Sequence, residues 1–395
     1  MTLSPLFDFI RSLYGKTKAE TIPLHEPKFL GNEKKYLLEC IDSGFVSSVG
    51  KFVNRFEEEM ARFCGSQYAI ATSNGTSALH AILHAIGTNQ ECEVITQSLT
   101  FIATSNAIAY TGAKPIYVDV DLDSLSLSPS ALEKFLHLHG QKEENHTINK
   151  HTRKIIKACV PMHTFGHPAK IEEISRICKE WHITLIEDSA ESLGSYYIQK
   201  DQAIHTGLKG LASAFSFNGN KTITCGGGGI ILTDNQKLAQ KLKHITTTAK
   251  IPHPYEYYHD ELGFNYRLPN LNASLALAQL EQLPKFLANK SKIAKAYEEF
   301  CLTHGIDFIS ARDGTKPNFW LNAIKLKNLE ERNAFLEQSN AQGIMTRPIW
   351  KLNHQNPAYS HCQHDNLANS LFLQDRIVNL PSGVNLGYNS SISIK

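Results

Sequence analysis

YAIATSNGTSALHAILHAIG (68–87), EVITQSLTFIATSNAIAYTG (93–112) and KPIYVDVDLDSLSLSPSALEKFLHLHG (114–140) share one pattern. Each opens on a short apolar, β-branched run and continues into apolar residues at helical spacing, so each predicts a strand followed by a helix. Strand and helix in alternation require a mostly parallel sheet covered on both faces. The alternation resumes in KIIKACVPM (154–162), KIEEISRICKEW (170–181), ITLIEDS (183–189), GGIILTD (228–234) and NQKLAQKLKHI (235–245). The polar stretch QKEENHTINKHTRK (141–154) between two of these units predicts an exposed loop.

Outside this core the pattern changes. After Pro269 an apolar-periodic helix is expected through LNASLALAQLEQL (271–283) and a second, past Pro284, through KIAKAYEEFCLTHG (292–305), with a domain hinge at the proline. NFWLNAIKL (318–326), EERNAFLEQSNAQG (330–343) and IMTRPIW (344–350) predict a small α+β unit. Leu6, Phe9, Ile10 and Leu13 recur at helical spacing and predict a short amphipathic helix rather than a signal peptide. The expected division is an N-terminal helical extension (1–26), a large α/β domain (27–269), and a connecting helix with a small domain (270–395). Two domains suit 395 residues, since single cores stop growing beyond about 250 to 300.

Forty Lys and Arg against 38 Asp and Glu give a formal charge of +2, too weak a field for nucleic acid or an anionic membrane. No stretch approaches the roughly 20 apolar residues that span a bilayer. Eight scattered cysteines form no metal-ligand spacing, so no metal is expected and a reducing, cytoplasmic setting is.

Four segments carry chemistry. In FSFNGNKTITCGGGG (215–229), Lys221 stands between an apolar strand and a glycine run, where backbone can approach a ligand and a lysine can form a Schiff base. The plainer reading is a surface lysine in a turn. A phosphate-binding P-loop is excluded because Asn220, not glycine, precedes the lysine. In TLIEDSAESLGS (184–195) an apolar strand ends in acids, and ligands of open α/β sheets bind beyond strand carboxyl ends. Asp188 is there either to face a ligand or to cap the next element of the chain. In ATSNGTSALHAIL (71–83) the amides of Gly75 and Thr76 start a helix that binds an anion or is simply capped. Phe101, after a strand end, either stacks on a planar ring or packs the core.

The order of these segments identifies a resemblance. Through NGTSALH, TFIATSNAI with GAKPIYVDVD, VPMHTFGHP, IEDSAESLGS, FSFNGNK with GGGGI, and GFNYRLPNLNASLALAQLEQL, the chain from about Ile22 to Val384 resembles the DegT/DnrJ/EryC1/StrS sugar aminotransferases. These are pyridoxal 5′-phosphate (PLP) enzymes of fold type I, with a large, mostly parallel α/β domain and a small α+β domain. IPLHEPKFLGNEKKY, FVSSVGKFVNRFE and TRPIWKLN resemble the branch acting on UDP-4-keto-6-deoxy-N-acetylhexosamines on the way to bacillosamine or legionaminic acid.

The resemblance implies that Lys221 carries the cofactor and shuttles a proton. Asp188 faces the ring nitrogen, Phe101 stacks on the ring, and Gly75, Thr76 and Ser216 hold the phosphate. His163 and Glu191 lie near the ring, and Asn265 reaches the phosphate of a neighbouring subunit, implying a homodimer. L-Glutamate would be the amino donor and a UDP-keto sugar the acceptor. For the nucleotide sugar, Phe45, Ser47, Arg267, Arg347 and Trp350 offer aromatic and cationic groups, although Arg347 and Trp350 could equally pack the small domain. Two departures stand out: many relatives carry glutamine at Glu191, and many interrupt the run Gly226–Gly229 with glutamate. Rival readings are an amino-acid aminotransferase, a sugar dehydratase of the branch that replaces the lysine with histidine, which Lys221 argues against, and a non-catalytic PLP-binding regulator.

Overall fold

The computed structural model describes residues 4–200 and 202–388. Helix α1 (Ser4–Tyr14) buries Leu6, Phe9, Ile10 and Leu13 as its periodicity requires. Helices α2 (Glu33–Asp42) and α3 (Lys51–Cys64) follow. The alternating region then gives β1 (Tyr68–Thr72), α4 (Gly75–Ala85), β2 (Cys92–Gln97), α5 (Ile102–Tyr110), β3 (Lys114–Val118) and α6 (Pro129–His139). After a hairpin of β4 (Gly140–Lys142) and β5 (Thr147–Asn149) come β6 (Ile155–Val160), α7 (Ile171–Glu180) and β7 (Thr184–Asp188). A second hairpin, β8 (Tyr196–Gln199) and β9 (Gln202–His205), precedes β10 (Ala212–Ser216), β11 (Gly229–Thr233) and α8 (Gln236–Thr246).

The main sheet has the order β1-β11-β10-β7-β6-β2-β3. All pairs from β10 to β3 are parallel, and β11 alone is reversed between β10 and β1. Because strand side chains alternate, neighbouring residues serve different layers. Ile231 packs with Leu79, Ile82 and Leu242 from α4 and α8, whereas Ile230 and Leu232 face Phe56 of α3 and later helical residues Ala276 and Leu277. Val94 joins the α4 layer, and Ile95 the layer of Leu132, Phe135 and Ile174 from α6 and α7. Burial on both faces explains why these strands read as continuous apolar runs.

Two expectations fail here. The stretch 141–154 is largely exposed, as expected, but it is a hairpin and not a loop: β4 pairs with β5 and β5 with β6, and Thr147 and Asn149 are buried. Asn149 Nδ2 donates to Glu93 Oε2 at 2.7 Å and Gln363 Oε1 at 2.6 Å, so polar composition and burial coexist through mutual hydrogen bonding. Nor does Pro284 divide two helices. Helix α9 (Asn270–Thr303) runs 34 residues through it. An interior proline costs about 3 kcal/mol, but both halves of α9 are anchored: Leu277, Leu280 and Leu283 against the large sheet, Ile293, Tyr297 and Phe300 against α1 and the small sheet. Tertiary burial overrides the local break signal, and the helix continues across the expected hinge.

The C-terminal region contributes β12 (Asp307–Phe308), β13 (Thr315–Lys316), β14 (Asn322–Lys325), α10 (Leu329–Ala341), β15 (Arg347–Pro348), α11 (Ala368–Gln374) and β16 (Ile377–Leu380). Its antiparallel sheet has the order β12-β14-β16-β15, while β13 joins the β8–β9 hairpin. One buried lysine ties α9 to this sheet. Lys290 Nζ donates to the carbonyls of Trp320 (3.2 Å) and Ser382 (2.6 Å) and is 1% exposed. Burial lowers its pKa from 10.5 to about 7. A neutral amine has two N–H donors, matching the two carbonyls.

Between pH 7 and 10.5 the unfolded chain therefore holds a proton on this lysine that the folded chain lacks, and stability rises with pH over that window. Lys290→Met removes this contribution, up to about 1.4 kcal/mol per pH unit. Urea midpoints at pH 7, 8 and 9 should rise less steeply in the variant than in the parent; identical slopes would contradict a neutral Lys290.

Candidate active site

The turn after β1 leaves hydrogen-bond donors free. Asn74 is extended, and its Oδ1 accepts from the Ser77 amide at 2.8 Å, capping α4 at its third residue. The amides of Gly75 and Thr76 have no acceptor among the described residues and sit at the positive end of the helix. Gly75 packs tightly, since a β-carbon there would lie 3.0 Å from Ser216 Cβ. The glycine run has its own reason. Gly226 adopts φ +80°, and a β-carbon on Gly229 would lie 2.4 Å from the carbonyl carbon and oxygen of Asn74. β11 thus passes directly against the α4 turn and brings Ser216, its neighbour on β10, to the free amides.

Adjacent acids on β7 face opposite ways. Glu187 accepts from the amides of Lys209 and Gly210 (both 2.7 Å), from Gly207 (2.9 Å) and from His163 Nε2 (2.9 Å). Burial alone would raise its carboxyl, but His163 and these amides outweigh that and hold it low. Asp188 faces the cavity. Its Oδ2 accepts from Thr104 Oγ1 at 2.7 Å and its Oδ1 from the Ala190 amide at 3.1 Å, and burial pushes its carboxyl up against them. Lys221 follows the Asn218–Asn220 turn, with Nζ 3.3 Å from Glu191 Oε1 and 4.0 Å from the centre of the Trp320 ring. Burial raises the Glu191 carboxyl to about 7, opposed by Lys221 and by the Phe165 amide, which donates to its Oε2 at 2.9 Å.

Gly75, Thr76, Phe101, Asp188, Glu191, Ser216, Lys221 and Trp350 border one cavity of about 270 Å³. Phe101, the N-cap residue of α5, is 51% exposed, so it is a face offered to the cavity and not core. His163 does not line it. Its Nδ1 accepts from the Ala169 amide at 3.1 Å, leaving Nε2–H for Glu187, while the preceding residue, Met162, borders the cavity. Four of the five residues expected for a nucleotide sugar also lie outside. Arg347 is exposed on an edge strand and donates to Asn340 Oδ1 and the Thr346 carbonyl. The carbonyls of Phe45 and Ser47 accept from Asn270, where α9 starts without a side-chain cap. Arg267 binds Asn265 Oδ1 at 2.9 Å, and both are exposed away from this cavity. Sequence reasoning missed Thr104 and Trp320. Thr104 lies one helical turn after Phe101, a spacing that could have flagged it; Trp320, distant in the chain, gave no local signal.

A family model described as the DegT/DnrJ/EryC1/StrS aminotransferase family matches residues 28–394. The chain belongs to this family. It is 37% identical over 362 residues to a GDP-perosamine synthase of Escherichia coli O157:H7, covering 91% of this chain and 93% of that protein. It is 33% identical over 373 residues to the putative pyridoxal phosphate-dependent aminotransferase EpsN of Bacillus subtilis, covering 92% of each. Among solved structures, a DegT DnrJ EryC1 StrS aminotransferase from Brucella abortus matches with a TM-score of 0.81 at 27% identity, covering 89% of this chain and 90% of that one. The protein is a PLP-dependent nucleotide-sugar aminotransferase.

The residues present fit the cofactor of this family. Two unpartnered helix amides beside Ser216 suit a phosphate, Phe101 a planar ring, Asp188 a protonated ring nitrogen, and Lys221 an aldehyde. The close crossing at Gly229 should be the weakest point for substitution. Gly229→Ala would force the Asn74 turn away, costing about 1–3 kcal/mol of stability and loosening the cofactor. Denaturant midpoints with and without PLP, together with equilibrium dialysis, check this; unchanged PLP affinity would show that the crossing does not set the phosphate site.

Proposed function

We propose that this sugar aminotransferase moves the amino group of L-glutamate to C4 of a UDP-linked 4-keto-6-deoxy-N-acetylhexosamine, giving a 4-amino sugar for a surface glycan, and that it acts as a homodimer in the cytoplasm. The observation that carries the reading is the Lys221 amine, 3.3 Å from Glu191 in a cavity also bordered by Asp188 and two free helix amides. PLP, when bound, supplies the electron sink that lets the donor's α-carbon lose a proton. Lys221 Nζ would take that proton and return it across the donor nitrogen to the carbon that binds it, and a water would then supply the keto oxygen of the departing 2-oxoglutarate while the amino group stays behind. Asp188, oriented by Thr104 and the Ala190 amide, keeps a proton on the nitrogen it faces. Trp320 and Trp350 border the cavity and offer apolar faces to a sugar.

Charge supports a second chain. A diphosphate and the carboxylates of glutamate need cations, and Lys221 is the only Lys or Arg among the described residues bordering the cavity. Asn265 and Arg267, exposed and turned away from their own cavity, suit a neighbour's. Leu38, Ile41, Phe45, Val46 and Val49 expose apolar surface on and after α2 that a second copy could cover. The cytoplasm is supported by eight unpaired cysteines. No described helix is long and apolar enough to cross a membrane.

A GDP-linked acceptor is the second reading, favoured by three GDP-perosamine synthases at 37%, 34% and 34% identity. Glutamate should first convert the bound cofactor to its amine form, seen by absorbance. Adding UDP- or GDP-linked 4-keto-6-deoxy sugars then separates the readings. Reset at least about tenfold faster by the UDP-linked N-acetyl sugar supports the first, since one well-placed polar contact discriminates by at least that much. Preferential reset by a GDP-linked sugar selects the second, and reset only by simple 2-oxo acids would defeat both.

A further inference from the structure

Trp320 reaches the cavity from the small sheet and is fixed on all sides. Its Nε1–H donates to the carbonyl of Asn220, the residue before Lys221, at 2.6 Å. Its amide donates to Asn318 Oδ1 at 2.8 Å, and Asn318 Nδ2 donates in turn to the carbonyls of Glu191 (2.8 Å) and Leu193 (2.9 Å). Its carbonyl accepts from buried Lys290. The indole is 4% exposed, and its face lies 4.0 Å from Lys221 Nζ. The side chain therefore touches the reactive amine and bonds to the loop that carries it, while the backbone amide is joined through Asn318 to the loop carrying Glu191.

This arrangement answers a mechanical need. Lys221 sits at the end of a flexible four-carbon arm, and once released from the cofactor it must stay within reach of the carbons between which it moves a proton. Glu191 restrains the amine from one side at 3.3 Å. The electron-rich face of an aromatic ring attracts an ammonium and leaves it free to turn.

We propose that Trp320 is a positioning residue for Lys221, holding the freed amine against its indole face during proton transfer. The proton taken from the donor's α-carbon is carried on Nζ and given up from the same atom, so no further reactant is needed. The inference rests on Lys221 being the cofactor-carrying lysine but not on which sugar is the acceptor.

The test uses the PLP-loaded enzyme and the glutamate half-reaction alone, by rapid mixing, with ordinary and α-deuterated glutamate. Trp320→Leu should slow conversion about 100-fold, the scale of a misplaced reacting group, and raise the deuterium isotope effect. The apparent binding constant for glutamate should change less than about twofold, since the indole acts on proton transfer and not on ground-state binding. Trp320→Phe, which keeps a ring but loses the bond to Asn220, should recover at least about a tenth of the rate, as expected for a weaker cation–π face. A folded, cofactor-loaded leucine variant with parental rate and isotope effect overturns the proposal. So does a phenylalanine variant as slow as leucine, because the Asn220 bond and not the ring face would then be responsible. Should the leucine variant not fold, the phenylalanine variant decides: parental isotope effect and rate overturn the inference, and partial slowing with a raised isotope effect upholds it. Lys221→Ala run alongside separates the two levels, since proton transfer surviving in it defeats the assignment of Lys221 itself.

Discussion

At the start of β11 the backbone of Gly229 runs so close to Asn74 that a β-carbon would fall 2.4 Å from the Asn74 carbonyl. That contact fixes the reversed strand against the first turn of α4, and the rest of the site inherits its geometry. It places Ser216 beside the unpartnered amides of Gly75 and Thr76 and sets where the 217–228 segment, with Lys221 in it, must leave the sheet. The glycine run is thus primarily a packing requirement between two pieces of backbone. Its chemical consequence is an anion site facing a lysine.

The second organising feature is the division of labour between Glu187 and Asp188. Four donors saturate Glu187 and lock the strand end, while Asp188 keeps acceptor capacity toward the cavity. His163 belongs to the first arrangement and supports the site from behind. Glu191, where many relatives carry glutamine, is buried and raised to about 7 beside Lys221. Burial favours the protonated form of an acid at this position, and Lys221 and the Phe165 amide oppose it.

Much of this is legible in the chain because it is local. Strand and helix periods, the Asn74 cap, the acid at the end of β7 and the lysine before the glycines all lie within short segments whose physics is self-contained. The features that escape a sequence reading depend on distant partners. The 140–149 hairpin has the composition of a solvent-exposed loop because most of it is at least partly exposed, and its one buried side-chain amide, Asn149, is matched by Glu93 and Gln363, far away in sequence. Pro284 signals a break that burial at both ends of α9 overrides. Arg347 and Trp350, three residues apart, look alike as ligand groups, yet Arg347 lies exposed on the edge strand and Trp350, beyond its end, borders the cavity. Trp320 acquires a role only when the small sheet is brought against Lys221.

Every chemical step assigned to this site requires that Lys221 be the amine that carries the cofactor, and a chemical trap can decide the point. Borohydride reduction of the PLP-loaded protein, followed by peptide mapping by mass spectrometry, freezes the bond to whichever lysine made it. The pyridoxyl mass is expected on the peptide containing Lys221 and nowhere else. Label on another lysine, buried Lys290 included, would contradict the assignment.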